Sequence, residues 1–136
     1  MTELSARFRL EHVPPHLVSL KFEGDLERKD VDAIFDRIEP WIAGQPFWLF
    51  EIDISALAQA GVDARRAAAE RIGKTPAYAM ALCGGSLAQR AIATLFLKLS
   101  ELFSGNRDIS HKFVKEPADA RKWLLEEGRR RSARAR

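Results

Sequence analysis

Apolar and polar residues recur along the chain with two different periods, and each change of period marks a new element. A period of two over residues 8–12 and 17–22 predicts two strands, joined at Pro14-Pro15, which is typical of an antiparallel hairpin. Gly24 and Asp25 are expected to end the second strand. Over residues 27–43 the apolar residues recur every three or four positions, which predicts an amphipathic helix.

The stretch from Pro46 to Ile72 is the one around which the other elements are expected to pack. Its apolar run, Phe47 to Phe50 and Ile52, is too continuous for a half-exposed strand and predicts a central strand covered on both faces. Asp53 and Ser55 are typical of turns, so we expect the strand to end there and a loop to follow. A helix is predicted from Asp63 to Ile72. A loop at such a strand end is a common ligand site in α/β proteins.

The second half of the chain repeats the alternation of strand and helix. The predicted elements are a strand over residues 77–83, a helix over 86–103 with a Ser86/Gln89 capping box, a strand over 109–114 and a helix over 117–127. The order ββαβαβαβα predicts one α/β domain over residues 1–128. We expect a mixed, mainly parallel five-stranded sheet with an N-terminal antiparallel hairpin and four helices.

The helix over residues 86–103 is more apolar than a helix on one face of a sheet needs to be. Its polar residues form one narrow stripe: Arg90, Thr94, Lys98 and Glu101. The excess apolar surface is covered by a neighbouring helix, forms a subunit or partner interface, or lines a small-molecule pocket. For a homodimer we place Leu97 at the interface, with Leu95 and Leu99 facing the sheet and Phe96 at the border.

The positive charge is concentrated at the C-terminal end of the sequence. The chain has 22 basic and 19 acidic residues, and five of the arginines lie in residues 129–136. We interpret this segment as a basic, disordered tail, with a nucleic-acid or acidic-partner contact as the alternative. No nucleic-acid contact is expected elsewhere.

The sequence offers little for catalysis. His12, His16 and His111 lack the spacing of metal ligands, and Gly84-Gly85-Ser86 is not a phosphate-binding loop. The single cysteine, Cys83, is read either as a small apolar residue or as a thiol with a lowered pKa before a helix N-terminus. We therefore expect no enzyme, no metal and no cofactor. The cysteine content and the absence of an apolar spanning segment favour a cytoplasmic protein with no membrane span.

Four short segments together resemble the STAS fold, and most closely its SpoIIAA-like bacterial members. They are LKFEGDL (Leu20 to Leu26), LFEIDIS (Leu49 to Ser55), AGVDARR (Ala60 to Arg66) and DARKWLLEE (Asp119 to Glu127). The resemblance spans roughly residues 6–127, and it is the order of the segments that carries it.

The resemblance implies a regulator similar to the anti-sigma-factor antagonists. The classical members of that family are switched by phosphorylation at the start of the second helix. That phosphoacceptor region corresponds to Val62 and Asp63 here. No residue from Ala56 to Arg71 has a hydroxyl group, so the usual Ser/Thr switch is not expected. Asp63 is either a constitutive negative charge or the N-cap of the helix.

The expected function is therefore that of a non-enzymatic STAS-like domain that acts through protein–protein contacts. The alternative is an apolar small molecule or lipid in a pocket, because SpoIIAA-like domains resemble the lipid-binding CRAL-TRIO fold. The candidate binding residues, on a partner surface or in a pocket, are Asp53, Ser55, Arg65, Arg66, Phe96 and Leu97. The arginines of the second helix are solvated charge or a docking surface for an acidic partner.

Overall fold

The computed structural model describes residues 2–4, 8–75, 77–103 and 108–135. Its strands are β1 (Thr2–Leu4), β2 (Phe8–Val13), β3 (Leu17–Leu26), β4 (Phe47–Ala60), β5 (Ala77–Cys83) and β6 (Ile109–Val114). Its helices are α1 (Arg28–Ile42), α2 (Val62–Ile72), α3 (Leu87–Glu101) and α4 (Pro117–Ala135). Among the described residues, no helix is both long enough and apolar enough to cross a membrane.

All six strands form one mixed sheet, in the same order as in the chain. β1 and β2, and β2 and β3, pair antiparallel, while β3 to β6 pair parallel. The five predicted strands, the four helices and their order are confirmed. The structure adds the short strand β1 next to the predicted hairpin.

The helices lie on the two faces of the sheet in unequal numbers. Each parallel pair is joined by a helical crossover, and right-handed crossovers that advance in one direction place their helices on one face. Accordingly α1, α2 and α3 pack side by side over one face. α4 packs on the other face, against β4, β5 and β6.

Strand β4 is buried on both faces over its first six residues, as its apolar run predicts. Trp48, Phe50 and Ile52 belong to the core beneath α1–α3. Phe47 and Leu49 alternate with them and pack with α4. This alternation places β4 between the two cores of the molecule.

The predicted ends of β3 and β4 are wrong. β4 continues past Asp53 and Ser55 to Ala60, and β3 continues past Gly24 and Asp25. The register between β3 and β4 shifts near Asp53, where three residues of β4 oppose two of β3. The turn-forming residues therefore produce a β-bulge inside a long strand rather than its end.

The predicted disordered tail differs from the structure, in which α4 runs on to Ala135. Arg131, inside the predicted tail, is buried. Its guanidinium donates to the carbonyl oxygens of Asp108 at 2.9 Å and Tyr78 at 3.1 Å. These bonds fasten the last turns of α4 to the start of β5 and β6, which composition alone could not indicate.

The predicted orientation of α3 is also wrong. Leu97 is buried in the core, whereas Leu95 is 51% exposed and Leu99 is half-buried. The reason is Arg90, which does not belong to the solvent-facing side: its guanidinium lies 5.9 Å from the centre of the Phe113 ring. The polar stripe therefore borders β6, and the helix is rotated relative to the prediction.

Candidate functional site

An apolar cavity of about 90 Å³ lies between the sheet and the three helices on one face. The floor includes Phe50, Ile52 and Met80 of the sheet, and the roof includes Ile34, Ala64 and Phe96 of the helices. Every lining residue except Arg65 is apolar, and no polar atom is exposed on the wall. The cavity has the composition of a site for hydrocarbon.

Small side chains leave this space open. Ala60, Ala64 and Ala68 line the cavity at intervals of four residues, and Ala93 lines it from α3. Opposite them stand large residues of the sheet, so the helices are held apart without filling the gap. The volume corresponds to roughly three water molecules, but an apolar cavity lacks the partners that hold water.

Two of the predicted binding residues meet at this cavity. Phe96 lines it, and so does the side chain of Arg65, whose Nη1 donates to the carbonyl oxygen of Ala60 at 2.5 Å. Arg66 is exposed on α2 and does not line the cavity, and Leu97 packs in the core beside it. The structure therefore brings Arg65 and Phe96 together and separates them from the other candidates.

Asp53 and Ser55 form a separate polar pair at the bulge of β4. The Asp53 side chain alternates with Ile52 and Ile54, which line the cavity, and thus lies on the other face of the sheet. Its Oδ1 accepts hydrogen bonds from the Ser55 backbone N–H at 2.9 Å and from the Ser55 hydroxyl at 2.6 Å. The pair shapes the bulge and has no access to the cavity wall.

Gly84 passes close to this polar pair. A Cβ atom at Gly84 would lie 2.9 Å from the Cβ of Ser55, and the residue has a φ of +74°. Both constraints require glycine. The Gly84-Gly85 sequence is thus explained by close packing of β5 against β4.

Val62 and Asp63 lie exposed at the start of α2, beside an open groove between the N-terminal ends of α1 and α2. The reading of Asp63 as N-cap is wrong, because Gly61 is the N-cap and Asp63 lies in the first turn. There its charge is favourable near the positive end of the helix dipole. The groove is also lined by Asp25 and Glu27, so its rim is mainly acidic.

The guanidinium of Arg71 forms ion pairs with α1 and is not available as a docking surface for an acidic partner. It makes ion pairs with three acidic residues of α1: Asp32 at 3.5 Å, Asp36 at 3.0 Å and Glu39 at 2.9 Å. Its guanidinium also lies 5.3 Å from the centre of the Phe35 ring. The basic charge at the end of α2 therefore serves to hold α1 and α2 together.

Burial shifts the pKa of three of the side chains that the sequence singles out: Cys83, His16 and His111. Burial, helped by the negative charge of Asp53, raises the pKa of the Cys83 thiol to about 11. Of the two readings of Cys83, the small buried apolar residue is confirmed and the thiol with a lowered pKa is wrong. Burial lowers the pKa of His16 and of His111. Within the described residues no group of three or more His, Cys, Asp or Glu could hold a metal ion.

Sequence reasoning missed most of the cavity wall, including Phe22, Leu26 and Ile92. A signal was present in the alanines of residues 60–68, since short side chains in a helix over a sheet of large residues leave volume. The signal could not be used without knowing that α2 lies between α1 and α3.

A chain-ordered mixed sheet with three helices on one face and one on the other defines a SpoIIAA-like α/β domain. The chain is similar to the crystal structure of an uncharacterized protein from the DUF3478 family with a SpoIIAA-like fold, from Shewanella loihica PV-4. The TM-score is 0.59 and the identity 19%, over 91% of this chain and 98% of that chain. The predicted SpoIIAA-like fold is thereby confirmed. No protein-family model and no curated protein matches the sequence.

Proposed function

We propose that this chain is a non-enzymatic binding domain that takes an apolar small molecule into the cavity beneath α1, α2 and α3. The observation that carries the proposal is the cavity wall, which exposes no polar atom. We therefore favour the small-molecule alternative over a purely protein-binding role.

The chemistry of the wall supports binding rather than catalysis. Apart from Arg65 its side chains are hydrocarbon or thioether, which supply no nucleophile, general base or metal ligand. The thiol of Cys83 lies in the core on the other face of the sheet, and it is buried and protonated at neutral pH. Transfer of an alkyl chain from water into such a space is favourable by about 0.8 kcal/mol for each buried CH₂ group.

The test is a titration of the isotopically labelled protein with normal alcohols of increasing length, followed by amide chemical shifts. We expect saturable shifts at residues around the cavity. The affinity should rise about fourfold for each added CH₂ group until the cavity is full, as the transfer free energy requires.

A cavity-filling variant makes the test specific. Ala93→Leu adds three carbon atoms at the wall and should lower the affinity at least tenfold, while Ala118→Leu makes the same change at an exposed position of α4. If Ala93→Leu does not fold, Ala68→Leu fills the same cavity from α2. Equal binding by the filled and control variants would contradict the proposal.

A second candidate function is contact with another copy of the chain through α3. Its exposed residues include Leu87 (88% exposed), Ala91 and Leu95, and its C-cap, Leu102, is 77% exposed. These residues, which we call the α3 apolar stripe, are unusual on a surface helix and favour a protein interface.

In either case we propose regulation without a Ser/Thr switch, since residues 56–71 have no hydroxyl group.

A further inference from the structure

Among the residues that the structure describes, Arg65 is the one charged residue that lines the apolar cavity. It is half-buried on α2, and no polar atom is exposed on the cavity wall. The wall is therefore contacted by the aliphatic part of the side chain, a common arrangement for arginine at the edge of an apolar region.

The position of the guanidinium group follows from its hydrogen bond. Nη1 donates to the carbonyl oxygen of Ala60, and Ala60 itself lines the cavity at the end of β4. The charged group thus lies at the rim of the cavity, where the half-buried lining residues give access to solvent.

The guanidinium has hydrogen-bond donors to spare. An arginine has five N–H donors, and within the described part of the chain this guanidinium donates one hydrogen bond, to Ala60. Among the described residues no carboxylate forms an ion pair with Arg65, in contrast to Arg71, which contacts three acidic side chains. Arg65 is therefore a cation available to a ligand.

We propose that the ligand is an alkyl carboxylate, with its hydrocarbon chain in the cavity and its carboxylate on Arg65. This inference rests on the proposed function and adds the class of head group. A guanidinium fork matches the two oxygens of a carboxylate, and such charge-assisted pairs are stronger than neutral hydrogen bonds. The volume of about 90 Å³ favours a short chain.

The experiment compares hexanoate, 1-hexanol and hexylammonium as probes by the same amide-shift titration. The variants are Arg65→Met, which keeps the aliphatic part of the side chain, and Arg66→Met as the matched control on the exposed side of α2. We expect Arg65→Met to lower the affinity for hexanoate at least fivefold and to leave the affinity for hexanol within twofold of the native value. Arg66→Met should leave both unchanged, and hexylammonium should bind the native chain most weakly.

The possible failures are distinguishable. Binding of hexanoate that is unchanged in Arg65→Met overturns the head-group assignment and leaves the apolar site intact. If neither hexanoate nor hexanol binds the native chain, the proposed function itself fails. Added salt tests the pairing of the carboxylate with Arg65 without a variant. Salt screens this ion pair, so it should weaken the binding of hexanoate and not that of hexanol. An equal response of both probes to salt also overturns the assignment.

Discussion

Gln89 joins α3 to the part of β4 that extends beyond β5. Its Oε1 accepts from the Ser86 backbone N–H at 2.6 Å and thus completes the capping box. Its Nε2 donates to the carbonyl oxygens of Ser55 at 2.9 Å and Leu57 at 2.8 Å. Since β5 ends opposite Asp53, these carbonyls have no β5 residue beside them. The side-chain amide of Gln89 supplies their hydrogen bonds instead.

The two histidines with lowered pKa values predict how stability depends on pH. Burial holds the pKa of His16 and of His111 below the ordinary value of 6.5. As the pH falls below 6.5, the unfolded chain binds protons at these histidines that the folded chain does not bind. The free energy of unfolding must therefore decrease. Stability from this source is fully present above pH 6.5 and is lost at lower pH.

Urea unfolding followed by circular dichroism, at about pH 7.5 and about pH 5.5, measures the effect. The double variant His16→Gln/His111→Gln should show a smaller decrease between the two conditions than the native chain. An equal decrease would show that these histidines are not the source.

At the scale of the element, the C-terminal half of α4 contributes to stability. Arg131 is 4% exposed and donates to backbone carbonyls of the sheet. Replacing it with Met removes both of these hydrogen bonds, which costs about 1–3 kcal/mol and lowers the melting temperature by roughly 3–10 °C. Deletion of residues 129–136 should lower it at least as much.

The matched control is Arg129→Met, because Arg129 is exposed on the same helix. Its melting temperature, measured by circular dichroism, should stay within about one degree of the native value. A disordered tail predicts no change for any of these variants, so unchanged stability on deletion would restore that interpretation.

The elements themselves were predictable, and their extents and rotations were not. Periodicity places all four helices, and the Ser86/Gln89 pair places the start of α3, because these signals are local. The end of β4 depends on its pairing with β3 and on Gln89, and the rotation of α3 depends on Arg90 and Phe113. Both are contacts between residues far apart in sequence.

The candidate site shows the same division. Arg65 and Phe96 were identified from charge and from the apolar character of α3, and both line the cavity. The cavity as a whole arises only when alanines of α2 and α3 are opposed to large residues of the sheet. The cavity therefore depends on which helices pack side by side, and a single sequence does not show that.

At the scale of the whole molecule, the α3 apolar stripe predicts the oligomeric state. Leu95→Glu puts a charge into that stripe, and desolvating an unpaired charge at an interface is unfavourable by several kcal/mol. We expect a dimer for the native chain and a folded monomer for the variant, by light scattering after gel filtration.

Leu97→Glu is the matched comparison, because Leu97 lies two residues away on the buried side of α3. It should unfold the chain rather than change its assembly, as judged by circular dichroism. A native chain that is monomeric at every concentration tested would eliminate the dimer.

The sheet order has a consequence for how the chain is made. Because strands stand in the sheet in the order in which they occur in the sequence, each one can pair on emergence from the ribosome with a strand already formed. α4 is synthesised after all six strands and covers the second face. Until then Leu17, Phe47 and Leu49 remain uncovered, and this is the interval in which a chaperone would find the nascent chain.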